Sequence, residues 1–184
     1  MNINVDNIIE KYYTKGSDLY KVLITHSQQV TKKAVEIAER RKDLQLNIDF
    51  VYEAAMLHDI GIFKCHAPSI FCVGTHRYIE HGYLGAEILR AEGLDRHALV
   101  CERHTGVGLS LEMIETAKLP LPHRNMIPET MEEQLICYAD KFYSKSKLGE
   151  THSLEAIRKD LAQFGEFQRV IFDKWHQFFN LTNE

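Results

Sequence analysis

Six histidine and aspartate side chains are spaced so that a folded helical chain could bring them together around divalent metal ions. Five of them interrupt or extend the apolar stripe of a predicted helix and therefore point inward, where a polar group needs a partner. Neutral imidazole nitrogens and carboxylate oxygens are natural ligands of divalent metals, which satisfy several such groups jointly. The candidate metal ligands are His26, His58, Asp59, His81, His104 and Asp140.

The adjacent pair His58 and Asp59 lies in the apolar stretch AAMLHDIGIFK, which predicts a helix that ends or bends at Gly61. Neighbouring helical residues point about 100° apart, so both side chains can face one metal only near a helix end. A single inward-facing histidine is more often a hydrogen-bonded core residue than a ligand. The number of inward-facing polar residues, rather than any one of them, therefore favours a metal site.

The order of these residues also resembles the HD superfamily of metal-dependent phosphohydrolases. His26 is followed by the string HDIG at 58–61, which names a subgroup of that superfamily. The stretches EHGYLGAEIL (80–89) and ERHTGVGLS (102–110) are similar to the two additional histidine motifs of its binuclear members. IPETMEEQLICYADKF (127–142) is similar to the segment that carries the last aspartate, so the resemblance covers about residues 20–145.

The resemblance implies a binuclear site with these six ligands. One metal would be held by His26, His58, Asp59 and Asp140, and a second by His81, His104 and the bridging Asp59. Fe or Mn is favoured by the resemblance, and Zn, Co, Ni and Mg stay open as alternatives. A pair of metals can activate a water as hydroxide for attack on phosphorus, so Asp59 is assigned a catalytic role in bridging the ions and orienting that hydroxide.

Three cationic residues are candidates for binding the substrate phosphate: Lys64, Lys141 and Arg124. Lys64 comes shortly after the HD pair and is also a catalytic candidate, although a solvated surface charge is an equal alternative for it. For Lys141 and Arg124 the solvated alternative is favoured. The spacing to Lys64 and the lack of a GYP triplet argue against a cyclic-di-GMP phosphodiesterase.

The first functional hypothesis is hydrolysis of a phosphoester or phosphoanhydride in a small molecule, with nucleotides among the candidate substrates. The alternative is an O2-dependent di-iron oxygenase, because some proteins of this fold use the same six ligands for oxidation. A non-enzymatic ligand sensor ranks last, since such proteins usually lose ligands and none is lost here.

The elements that must position these residues are almost all helical. Apolar periodicity predicts an all-α, single-domain helical bundle of the HD-domain type with about seven helices over residues 1–184. Asp6, Ser17, Thr130 and Ser153 are predicted N-caps. The helix that follows Ser17 is predicted to reach about Arg41, and the helix that follows Thr130 about Lys145. Residues 62–76 and 106–127 are predicted loops, and the C-terminal helices of 146–184 are expected to complete the core.

Composition limits the classes of partner. The 184 residues carry a formal net charge of −4 and no long basic run, which argues against binding a nucleic-acid polymer and leaves a small phosphorylated substrate as the expected partner. Neither a signal peptide nor a membrane span is predicted, so we expect a cytoplasmic protein; a homodimer stays open. The four cysteines are predicted to be reduced thiols, and the loop containing Cys65, His66, Cys72 and His76 is predicted to cover the site rather than bind zinc.

Overall fold

The computed structural model describes residues 3–181, and nine α-helices account for most of this range. They are α1 (Val5–Tyr12), α2 (Asp18–Arg40), α3 (Ile48–Leu57), α4 (His81–Ala91), α5 (Asp95–Arg103), α6 (Leu111–Thr116), α7 (Met131–Asp140), α8 (Leu154–Ala162) and α9 (Glu166–Phe179). The predicted all-α class is confirmed. The count exceeds about seven because α6 forms within the predicted loop 106–127, and the C-terminal segment contains two helices, α8 and α9, on either side of Gly165.

Most of the helix starts follow from local hydrogen bonding. The side chains of Ser17, Thr130 and Ser153 each accept a hydrogen bond from the backbone N–H three residues later, as predicted for N-caps. The first helix is capped by Asn4 rather than by Asp6, which lies inside its first turn. Capping therefore fixes where α2, α7 and α8 begin.

The helix α7 ends at Asp140, five residues before the predicted end at Lys145. After Asp140 the chain makes short-range backbone bonds of the 3₁₀ type, such as the 3.3 Å bond from Phe142 N–H to the Ala139 carbonyl. Tyr143 then pairs with Thr151 in an antiparallel bridge. Residues 143–151 therefore form a loop with a closed base, which we call the 143–151 loop.

The segment 62–76 contains a small hairpin where a loop was predicted. Its strands are β1 (His66–Ala67) and β2 (Cys72–Val73), which pair antiparallel, and a 3₁₀ turn over Pro68–Ile70 connects them. Two-residue strands are too short to show an alternating pattern in the sequence. The hairpin matters because it lies beside the ligand-bearing helices, with the side chain of Cys72 in the same apolar cluster as Leu57.

Two large apolar clusters form the core. One joins the C-terminal half of α2 to α3, α7 and α9, and the other joins α1 and the start of α2 to α4. On α2, His26 lies between Leu23 of the second cluster and Val30 of the first. Within residues 3–181, no helix is both long enough and apolar enough to cross a membrane.

Candidate metal centre

The six predicted ligands converge in the folded chain. They form two groups, and within each group the candidate ligand atoms lie within 4.8 Å of one another. The first group contains His26, His58, Asp59 and Asp140, and the second contains Asp59, His81 and His104. All six residues are buried. They come from five helical segments, because His58 and Asp59 are neighbours, and together they form one interior site.

Asp59 belongs to both groups because its two oxygens face different histidines. Oδ2 lies 3.2 Å from His26 Nε2 and 3.1 Å from His58 Nε2. Oδ1 lies 3.4 Å from Nε2 of both His81 and His104. The carboxylate therefore has the geometry of a bridge between two ions.

Each group is completed by a second close contact. In the first, Asp140 Oδ1 lies 2.9 Å from His26 Nε2 and 3.5 Å from His58 Nε2. In the second, the Nε2 atoms of His81 and His104 are 3.0 Å apart. Two imidazole nitrogens this close must share one proton or a cation, which is the arrangement expected of ligands to one metal.

Three of the histidine rings are oriented by backbone carbonyls that lie nearby in the chain. In each, Nδ1 lies within hydrogen-bond distance of the carbonyl three residues earlier, which leaves Nε2 facing the site. The pairs are His58 with Ala55 at 2.6 Å, His81 with Tyr78 at 2.6 Å, and His104 with Cys101 at 2.7 Å. Outer hydrogen bonds of this kind fix the tautomer that binds metal through Nε2.

The donor set fits divalent metal ions because several of its buried atoms lack hydrogen-bond partners. Among the described residues, the atoms of the donor set that face the site without a hydrogen-bond partner are His58 Nε2 and both carboxylate oxygens of Asp59. Nitrogens lie at ion-pair distance from the Asp59 oxygens, but the angles are not those of hydrogen bonds. Leaving such atoms unsatisfied in the interior is costly, and a metal between the oxygens and Nε2 atoms would remove that cost.

Charge in the site favours ionised carboxylates and neutral imidazoles in the second group. Burial raises the pKa of Asp59, but Lys145 and His58 outweigh it and hold the pKa well below its usual range. Burial and the neighbouring His104 lower the pKa of His81 to about 3. In the first group, burial lowers the pKa of His58, but Asp59 and Asp140 raise it to about 9. A metal there would displace a proton.

Two glycines allow the ligand-bearing segments to approach one another. A Cβ on Gly61 would overlap the His81 carbonyl oxygen and the backbone of Gly85, so the HDIG turn packs directly on α4. A Cβ on Gly82 would lie 2.6 Å from the carbonyl oxygen of Cys101, the group that orients His104. Close backbone approach therefore requires glycine at both positions.

The three predicted phosphate-binding cations lie in different surroundings. Lys64 is half-buried and makes no side-chain hydrogen bond or ion pair with another described residue. Lys141 lies 2.8 Å from Asp140 and donates to the His104 carbonyl at 3.1 Å, so it contacts two of the candidate ligands. Arg124 pairs with Glu102 at 2.8 Å. Their roles in substrate binding stay predictions.

The site contains one cation that the sequence analysis missed. Lys145 Nζ lies 2.6 Å from Asp59 Oδ2, and its side chain is only 13% exposed. Burial lowers its pKa, but Asp59 and Tyr78 raise the pKa above its usual value, so the ammonium stays charged. Lys145 follows the end of α7 and has no helical register, so no periodicity signal could have found it.

Comparison with known proteins agrees with the helical fold. The HD domain family model matches residues 23–144, which is more than half of the chain. The protein is thus a helical HD domain with a histidine- and aspartate-rich cluster able to hold metal, and the chain belongs to the HD domain family.

Two kinds of relative are similar in sequence. An uncharacterized protein of Methanocaldococcus jannaschii is 34% identical over 128 residues, which is 68% of each chain. A tRNA (cytidine(56)-2'-O)-methyltransferase of Thermoplasma volcanium is 36% identical over 140 residues, 76% of this chain and 36% of that protein. The corresponding enzyme of Picrophilus torridus is 33% identical over 135 residues, which are 73% of this chain and 35% of that protein. The chain therefore spans about a third of the length of these methyltransferases.

Two solved structures share the fold. The HD domain of the L. monocytogenes phosphodiesterase PgpH superimposes with a TM-score of 0.53 at 16% identity, over 91% of this chain and 94% of that one. The same domain in complex with cyclic-di-AMP superimposes with a TM-score of 0.54 at 17% identity, over 92% of each chain. At this identity the likeness shows a common fold.

Proposed function

We propose that this HD domain is a metal-dependent phosphohydrolase that acts on a phosphoester or phosphoanhydride bond of a small molecule. The observation that carries the proposal is the orientation of Asp59, whose two oxygens face two separate groups of histidines. A carboxylate placed in this way can bridge two metals. The ability of the fold to support phosphodiester cleavage in another HD domain adds support.

Each group of ligands would hold one metal, with Fe or Mn preferred. His26, His58, Asp59 and Asp140 would hold the first, and Asp59, His81 and His104 the second. Two bound metals would supply an activated water and positive charge that offsets the charge of phosphoryl oxygens.

We also infer that residues 1–184 form one domain, because Gln168 of α9 bonds to the backbone of Val107 and Gly108, just after His104.

The side chains of this chain have three tasks in such a reaction. The carbonyls of Ala55, Tyr78 and Cys101 keep three imidazoles turned towards the metals. Lys141 and Lys145 keep the two aspartates ionised, since each lies within 2.8 Å of a carboxylate oxygen. Hydrolysis then adds the water oxygen to phosphorus, breaks the bond from phosphorus to the leaving oxygen, and transfers a proton from the water to that oxygen.

The methyltransferase relatives support a substrate of nucleotide type. An alignment of 140 residues is too long to lie outside residues 23–144, so it includes part of the HD domain. An HD domain within enzymes named for tRNA modification points to chemistry on nucleotides. The acidic net charge of −4 still favours a small nucleotide over a nucleic-acid polymer.

Metal analysis combined with a phosphatase assay tests the proposal. The protein is purified without chelator, its metals are counted, and hydrolysis of a panel of phosphate monoesters, diesters and anhydrides is measured with and without Mn from the products formed. We expect about two ions per chain and turnover that chelation abolishes and Mn restores in the absence of O2. Strict dependence on O2 and Fe, with no hydrolysis of any phosphorylated compound, would instead establish the di-iron oxygenase and overturn the proposal.

A further inference from the structure

A cleft of about 350 Å³ opens beside the metal-ligand cluster and has no role in the proposal above. One wall is the hairpin and its turn, and the opposite wall is the 143–151 loop. The lining residues are Ala67, Ser69, Ile70, Tyr78, Tyr143, Ser144, Lys145, Ser146 and His152. The lining is mixed, with aromatic rings, hydroxyls and one ammonium group facing the same space.

Two lining residues connect this cleft to the ligands. Lys145 Nζ lies 2.6 Å from Asp59 Oδ2, at the carboxylate shared by both groups. The Tyr78 ring stacks on His81, with ring centroids 4.7 Å apart and planes at 23°. A smaller cavity of about 190 Å³ is lined by Asp140 and also by Lys145. A molecule in the cleft would thus lie against the site where the metals are expected.

The 143–151 loop presents a phosphate-binding set of groups. Its base is closed by the Tyr143–Thr151 bridge and by a 2.8 Å hydrogen bond from His152 N–H to the Phe142 carbonyl. The Ser146 N–H donates to Ser144 Oγ at 3.2 Å, and the two hydroxyl oxygens lie 3.0 Å apart, so one hydroxyl donates to the other and one hydroxyl proton of the pair stays available to another acceptor. An ammonium flanked by hydroxyl donors is a common way to bind phosphate oxygens.

We propose that this cleft is the substrate site, that Lys145 contacts the phosphoryl group, and that the substrate is a phosphomonoester with one nucleoside-sized group. The proposal rests on the phosphohydrolase function above and specifies its substrate. Lys145 is then a catalytic residue, because it would touch the reacting phosphoryl group. The Tyr143 and Tyr78 rings provide aromatic surface for a base, which stacks favourably on such rings.

The size of the cleft favours one nucleotide over two. Sites for small ligands usually measure roughly 300–1,000 Å³, so 350 Å³ lies at the lower end of this range. A cyclic dinucleotide contains two nucleosides, and one of them would remain outside the cleft. In this reaction the water oxygen forms a P–O bond, the ester P–O bond breaks, and a proton from the water passes to the leaving oxygen, so the products are inorganic phosphate and a free hydroxyl compound.

The first experiment compares two lysines of the same loop. Lys145→Met removes the buried ammonium, whereas Lys147→Met removes one whose side chain is 66% exposed. With the metal-loaded full chain and 5′-CMP as probe, we expect kcat/KM to fall about 100-fold in the first variant and by less than about 2-fold in the second. Lys145→Arg is expected to restore part of the loss. Equal activity of Lys145→Met and wild type would overturn the role of Lys145.

A second pair of variants tests the cleft without touching Lys145. Ser69→Trp narrows the cleft, and Val73→Trp adds the same bulk at a hairpin position that is 82% exposed and does not line it. We expect Ser69→Trp to raise KM for 5′-CMP about 10-fold with kcat nearly unchanged, and Val73→Trp to leave both unchanged. Metal content is measured in parallel and should not change. An unaltered KM in Ser69→Trp would place the substrate elsewhere.

A substrate panel separates this inference from the function on which it rests. We expect kcat/KM for nucleoside 5′-monophosphates to exceed that for cyclic-di-AMP by about 100-fold or more, with ribose 5-phosphate in between. Preference for cyclic-di-AMP would overturn the cleft assignment while leaving phosphohydrolase function intact. Preference for ribose 5-phosphate would overturn the role of the aromatic surface. No hydrolysis of any of these or of p-nitrophenyl phosphate, measured as the ring-opened nucleotide for cyclic-di-AMP and as inorganic phosphate for the monoesters, would overturn the function itself.

Discussion

Gly61 packs directly against the backbone of His81, with no room for a side chain between them. A Cβ at position 61 would overlap the His81 carbonyl oxygen and the backbone of Gly85. This contact joins the turn that carries Asp59 to the helix that carries His81. The distance between the two halves of the candidate metal centre therefore depends on position 61 being glycine, which has no Cβ.

The substitution Gly61→Ala is expected to push α4 away from the HDIG turn. Overpacking of this kind costs about 1–3 kcal/mol, and we expect the free energy of unfolding to fall by a similar amount. The second metal should be lost in addition, because His81 moves away from Asp59. Denaturant unfolding and metal analysis measure the two effects.

Gly93→Ala is the matched control for Gly61→Ala. Gly93 has φ +75°, and no atom lies within 4 Å of the position that a Cβ would occupy. Alanine there would therefore strain the backbone without contacting a neighbouring residue. We expect a cost of about 1–2 kcal/mol with metal content unchanged. If Gly61→Ala keeps its full metal content, the close contact does not determine the ligand geometry.

Single-ligand variants should divide the site into two halves. His81→Ala and His104→Ala remove ligands of the second group only, so we expect the metal content to fall from about two ions per chain to about one. Asp59→Ala removes the shared ligand and should lose both ions and all turnover while most of the helicity remains. Elemental analysis and circular dichroism provide the readouts.

His123→Ala is the control for these ligand variants, since its side chain is 69% exposed and lies outside both groups. It should retain the wild-type metal content and turnover. Equal metal content in Asp59→Ala and wild type would contradict the bridging role of this carboxylate.

Gln168 ties the last helix to the segment that follows His104. Its side chain is fully buried, accepts from Val107 N–H at 2.8 Å and donates to the Gly108 carbonyl at 2.8 Å. Gln168→Leu leaves both backbone groups unpaired, so we expect a loss of about 3 kcal/mol in the free energy of unfolding. The exposed Gln163→Leu should change stability by less than about 0.5 kcal/mol. Similar unfolding midpoints for the two variants would contradict this account.

His97 should make stability depend on pH below neutrality. Burial lowers its pKa, and the carboxylate of Glu53, 3.2 Å from Nε2, offsets only part of this effect. Below about pH 6.5 the unfolded chain binds a proton that folded His97 does not, so its contribution to stability is present above that pH and is lost as pH falls. His97→Gln should therefore destabilise the metal-free protein more at pH 7.5 than at pH 5.5.

The pH effect is measured by denaturant unfolding at both values, with His123→Gln as the exposed control. Because the His123 side chain is 69% exposed, this control should change stability by less than about 0.5 kcal/mol. A larger destabilisation by His97→Gln at pH 5.5 than at pH 7.5 would show that His97 is charged in the folded state, with Glu53 dominating over burial.

The helices and the ligand residue types could be predicted because they depend on neighbours along the chain. The Ser17 cap follows from one side chain and one N–H three residues later, and the inward position of His26 follows from helical periodicity. Asn4 replaced Asp6 as a cap because both residue types are suitable and only the observed backbone distinguishes them. The sequence did not predict that α7 ends at Asp140, because the pattern of residues up to Lys145 is compatible with a continuing helix.

The sequence by itself determined which side chains form the candidate centre and in which order the helices present them. Only the tertiary structure decided which oxygen of Asp59 faces which histidines, and that Lys145 rather than Lys64 lies beside that carboxylate. The physical reason is the range of the interactions. Caps and periodicity act over a few residues, whereas the contact between Asp59 and Lys145 depends on the packing of helices that are distant in the chain.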